Sequence, residues 1–130
     1  MGYLIQWDNE EKTVVFQQYI GNPVKDDLYD LAEESALMLK NVSHTVHIII
    51  DERITKVNLT SVDIKHLEKH VPTNQGASVT VVMEKSLAYK KYIQDIGKKL
   101  GPNAFKQPYH VTTIEEARHL LQRQFGVNYP

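Results

Sequence analysis

The stretch Thr45-Val-His-Ile-Ile-Ile-Asp51 constrains this chain more than any other. Val46 to Ile50 is almost wholly apolar and β-branched, and it ends abruptly in an acid. A run of that length and type reads as a strand buried on both faces, the central strand of a parallel sheet. In open α/β sheets, functional groups gather just beyond the carboxyl ends of such strands. Asp51 to Ser61 is therefore where a working surface is expected.

The neighbouring segments fit a sheet built around that strand. Tyr3 to Trp7 and Lys12 to Ile20 are β-type runs joined by the polar turn Asp8-Asn-Glu-Glu11, the pattern of an antiparallel hairpin. Gly21-Asn22-Pro23 breaks the second run, and Asn22 is placed to cap a helix with Pro23 in its first turn. Val24, Leu28, Leu31, Ala32, Ser35 and Leu39 follow at helical spacing, which predicts an amphipathic helix over 23–40 ended by Asn41. Thr60 with Asp63 three residues on resembles a capping box for a short helix over about 61–70. Ala77 to Met83 is a second strongly β-prone run. Ser86 opens a helix to about Leu100, stopped by Gly101-Pro102, with Tyr89, Ile93, Ile96 and Leu100 as its expected apolar stripe. A weaker strand over 105–111 contains Pro108 and suits a sheet edge. Thr112 or Thr113 opens the last helix, with Ile114, Ala117, Leu121 and Phe125 on its buried face, and residues 126–130 are expected to fray.

The expected order is β-β-α-β-α-β-α-β-α. That is a single α/β domain over residues 1–130, with four helices on a mostly parallel five-stranded sheet begun by an N-terminal hairpin. A chain of 130 residues is long enough to bury a core and too short for two domains. Lys and Arg total 15 against 16 Asp and Glu, so no global field recruits nucleic acid or an anionic membrane. The absence of cysteine excludes disulfides, a thiol nucleophile and thiolate-ligated metals. No basic segment followed by a long apolar core opens the chain, and no apolar run nears the roughly 20 residues that span a bilayer. A cytoplasmic protein without a membrane span is the expectation.

The order of elements, with His47-Ile-Ile-Ile-Asp51, the run Ala77 to Met83 and the closing Thr112-Thr-Ile-Glu-Glu-Ala-Arg-His-Leu-Leu121, resembles the STAS-like domains over nearly the whole chain. These include the bacterial anti-sigma-factor antagonists. There, a strand ending in Asp leads to an Asp-Ser-Ser/Thr-Gly segment whose serine a kinase-type partner phosphorylates, which switches binding. The equivalent place here reads Asn58-Leu-Thr-Ser-Val-Asp63, with the hydroxyl pair present and the preceding acid and following glycine absent. The resemblance implies a non-enzymatic regulatory domain that binds a protein partner through the strand end and the short helix. Asp51, Arg53, Asn58, Thr60 and Ser61 are its candidate binding residues, and Ser61 and Thr60 are candidates for phosphorylation. Several members of the looser group have an apolar cavity, so the alternative it implies is a small apolar or amphipathic ligand.

The residues themselves give simpler readings of the same positions. A hydroxyl at Thr60 or Ser61 is needed as an N-cap whether or not it is modified, and Asp51 can hold the loop that follows it. His66 and His70 are four apart on one helix face, but Glu is not adjacent to the first His, no third ligand is evident, and Lys65 and Lys69 flank the pair. His44 and His47 point to opposite faces of a strand, His47 towards a buried setting, and His110 and His119 have no partner identifiable from spacing. The lysines of the third helix alternate with core positions as a solvated face does. No Gly-rich phosphate loop, nucleophile elbow or catalytic acid pair is present, so no reaction and no cofactor is expected. The hairpin and the last strand leave sheet edges that a homodimer would cover.

Overall fold

The computed structural model describes residues 2–54, 60–104 and 107–130. Five strands, β1 (Tyr3–Trp7), β2 (Val14–Tyr19), β3 (Val46–Asp51), β4 (Gln75–Val81) and β5 (Pro108–Val111), form one sheet in the order β1-β2-β3-β4-β5. β1 and β2 are an antiparallel hairpin, and the remaining pairs are parallel. The four helices are α1 (Lys25–Lys40), α2 (Ser61–Lys69), α3 (Leu87–Leu100) and α4 (Ile114–Phe125). The order also contains one turn of 3-10 helix, Glu84–Ser86, ahead of α3. The run singled out in the sequence is the middle strand, paired on both sides. Among the described residues, no helix is long and apolar enough to cross a membrane.

Each parallel crossover steps to the next strand in the same direction. Such crossovers share one hand, so α1, α2 and α3 lie over one face of the sheet and α4 lies alone over the other. The α4 face is closely packed: Val14, Phe16, Ile49, Val79 and Val111 meet Ala117 and Leu121. On the opposite face α1 packs over the hairpin side, with Leu31 against Tyr3 and Tyr19 and Leu39 against Val15 and Val46.

Three local features differ from expectation. α1 begins at Lys25, after Asn22 and Pro23, because its first turn supplies its own cap: Asp27 Oδ2 accepts from Val24 N at 2.8 Å and Asp27 Oδ1 from Gly2 N at 3.2 Å. The register of β3 on β4 shifts between Val46 and Ile48. Gly76 lies at this irregularity, and a Cβ there would stand 2.5 Å from His47 Nδ1, which accepts from Ala77 N at 2.9 Å. Residues 126–130, expected to fray, are anchored instead. Gly126 takes φ 65° as the left-handed end of α4, Val127 is buried, and the Tyr129 hydroxyl donates to Asp8 Oδ2 at 2.5 Å. Arg118 grips the same carboxylate at 2.8 and 3.1 Å, while Asn9 Nδ2 donates to Asn128 O. A polar turn that read as mere punctuation thus anchors the segment after α4.

Candidate functional site

Beyond the carboxyl end of β3 the predicted residues separate into two groups. Asp51 is buried, and both of its oxygens are used. Arg53 Nε donates to Oδ1 at 2.9 Å and Nη2 to Oδ2 at 2.8 Å, the Arg53 backbone N–H reaches Oδ1, and Gln18 Nε2 reaches Oδ2 at 2.8 Å. Burial alone would raise this carboxyl, but the bonds from Arg53 and Gln18 outweigh it and hold Asp51 below the usual carboxylate range. The pair therefore fastens the start of the loop, as the simpler reading has it.

Thr60 is the N-cap of α2. Its Oγ1 accepts from Asp63 N at 3.3 Å and donates to Asp63 Oδ2 at 2.9 Å, and Asp63 Oδ2 accepts from Thr60 N at 2.8 Å. Asp63 also takes Lys25 Nζ at 2.8 Å and the Tyr29 hydroxyl, which ties α2 to α1. Lys25 first, then Tyr29 and the Thr60 backbone, hold its carboxyl far below the usual value. Ser61 is exposed, with the larger exposed side chain of Val62 next to it. Asn58 lies outside the described residues. The His66 ring lies 4.8 Å from that of Tyr29 and 4.9 Å from that of His70, tilted against both. Among the described residues no group of three or more His, Cys, Asp or Glu could hold a metal ion.

A third feature lies elsewhere. Between the sheet and α1, α2 and α3 is a cavity of about 270 Å³, near the lower end of the range for small-molecule sites. Its walls are apolar: Leu28 and Leu31 from α1, Ile64 and Leu67 from α2, and Ile93 from α3. Its floor is the sheet, and there the chain turns polar. Gln17 pairs in register with Ile50, Ile50 with Thr80, and Thr80 with His110, so four lining residues form one row across four strands. Gln17 Nε2 donates to Ser35 Oγ on α1 at 2.9 Å. At the rim Lys90 Nζ meets Glu52 at 2.9 Å. Asp51 follows Ile50 in the strand, so the two side chains point to opposite faces; the Asp51–Arg53 pair and the cavity are separate places.

His110 is the floor's most unusual member. Its Nδ1 is buried, and no group among the described residues hydrogen-bonds to it. Burial first, then Lys90 and Lys91, lower its pKa from 6.5 to about 4, so the ring is neutral at pH 7.

α3 is thinly covered. Tyr89 and Ile96, expected on its buried stripe, are 59% and 43% exposed, because this helix stands over the cavity instead of lying on the sheet. Residue-type patterns missed the cavity, yet one signal was present. The run Ala77-Ser78-Val79-Thr80-Val81 alternates, whereas a strand covered by helices on both faces is normally apolar throughout. Compared with protein-family models, curated proteins and solved structures, the chain matches none.

Proposed function

We propose that this chain is a non-enzymatic binding domain that holds a small apolar or amphipathic molecule between the sheet and the layer of α1, α2 and α3. The observation that carries this reading is the cavity of about 270 Å³ with apolar walls and a polar floor. Protein interiors are close-packed and retain few voids larger than a water molecule, so a space of this size beside an otherwise well-filled α4 face is a feature to be used. The resemblance to STAS-like domains is part of the same reading: the strand ending in Asp51 and the Thr60-capped α2 are the elements it rests on.

Ala36 lines the cavity from α1 and gives a clean test. Native mass spectrometry of protein purified from its source is expected to find a non-covalently carried small molecule. Ala36→Phe fills the space and is expected to release it while the far-ultraviolet circular dichroism stays unchanged. An equal amount of the same adduct on the folded variant would place the molecule elsewhere and end the reading.

The start of α2 favours a second reading, a regulatory protein partner. Ser61 is exposed next to Val62, an apolar side chain left 71% exposed at the start of α2. A phosphate on Ser61 would meet the free N–H groups of a helix start. Thr60 is the weaker candidate, since its hydroxyl already bonds to Asp63 in both directions. Ser61→Asp is expected to change which proteins the chain retains from cell extract; identical recovery by wild type and variant would remove this reading.

A further inference from the structure

We infer that the cavity takes an uncharged ligand with an apolar body and a hydroxyl group, the hydroxyl hydrogen-bonding to the His110 imidazole beside Thr80. The inference rests on the ligand-binding reading and names the chemistry of what is bound.

Charge is the first discriminator. The charged side chains lining the cavity are Glu52 and Lys90, and they are paired with each other at 2.9 Å. A buried carboxylate or phosphate would lose its hydration and gain no free cation from the described lining, a loss that burial does not repay. An alkyl ammonium would likewise find no free anion in the described lining, since Glu52 is already paired with Lys90. A neutral molecule escapes both penalties.

The floor then selects the polar function. His110 lines the cavity, and no group among the described residues hydrogen-bonds to its Nδ1. Thr80 stands opposite His110 on the neighbouring strand, about 4.8 Å away across the ladder. One hydroxyl both donates and accepts, so it can bond either tautomer of a neutral imidazole and the threonine hydroxyl at once. An ether or ketone oxygen only accepts, and can serve only the tautomer in which the ring nitrogen facing it carries the proton. Gln17, two strands further along the same row, is already engaged with Ser35, which leaves the His110 end as the polar terminus of the site. The leucine and isoleucine side chains of α1, α2 and α3 then cover the ligand's apolar body.

A matched pair of probes tests this, 1-octanol against octanoate, titrated at pH 7 into protein carrying ¹⁵N-histidine. The alcohol is expected to bind about tenfold more tightly or better, and to shift a ring-nitrogen resonance of His110, with Ala36→Phe abolishing both effects. His110→Phe is expected to weaken 1-octanol binding by about tenfold, the scale of one hydrogen bond, and to leave n-octane binding unchanged. Octanoate binding as tightly as octanol, and still blocked by Ala36→Phe, would overturn the uncharged class while the cavity reading stands. Octanol bound with both ring-nitrogen resonances of His110 unmoved would remove His110 as its partner. Binding of none of the three probes would sink this inference and the cavity reading together. The resonance is read on the wild-type chain, so the result does not depend on whether a variant folds.

Discussion

His47 and His110 sit on opposite faces of the sheet, and burial acts on both in the same direction. His47 packs on Phe125 of α4 and accepts from Ala77 N, and burial lowers its pKa; His110, on the cavity floor, is lowered to about 4 by burial and by Lys90 and Lys91. Unfolded, both would titrate near 6.5. Between about 4 and 6.5 the unfolded chain therefore binds more protons than the folded one. The contribution of these residues to stability is complete above about 6.5 and drains away as pH falls towards 4. Asp51 and Asp63, held below the usual carboxylate range, lose theirs only at lower pH. The melting temperature is thus expected to fall between pH 7 and pH 4.5, and to fall less steeply in His110→Phe. A melting temperature flat across that window would show that neither imidazole is held neutral.

The helices divide by what they cover. Leu121 of α4 is fully buried among close neighbours, so Leu121→Ala should cost about 2–5 kcal/mol. Ile93 of α3 borders open space and is only half-buried, so Ile93→Ala should cost less than about 1 kcal/mol, since little new void is created. Urea denaturation of the two variants checks the contrast, and equal losses would mean that α3 packs as tightly as α4. Periodicity placed the long elements well because their apolar faces follow the helical repeat: α1 and α4 appear within a few residues of expectation. It placed α3 as well but not its cover, since a stripe of Tyr89, Ile93 and Ile96 reads the same whether it lies on a sheet or above a cavity. Capping chemistry was legible at Thr60, whose partner is three residues away. It was misread at Asn22, because the acid that caps α1 lies inside the helix and also serves Gly2, 25 residues back.

At the scale of the whole molecule, the central strand announced itself and the site did not. Four β-branched aliphatic residues and one histidine before an acid define a buried strand. A cavity is a relation among residues 17, 50, 80 and 110, which the chain gathers only when four strands align. Each of those residues taken singly is unremarked: a glutamine, an isoleucine, a threonine and a histidine. The Asp51–Arg53 pair shows the converse. Two apart in sequence and conspicuous, the two residues satisfy each other.

The clasp between Asp8 and Tyr129 bears on how the protein is made. Asp8 leaves the ribosome 121 residues ahead of the tyrosine that bonds it. At roughly 5–20 residues per second, that is a delay of about 6 to 24 seconds. For all of that time the first hairpin exists without α4 or the segment that secures its turn, and its sheet edge is open to other nascent chains. The earliest piece of the fold to emerge is the last to be fastened, so slow translation of the second half would prolong the interval in which a chaperone has something to hold.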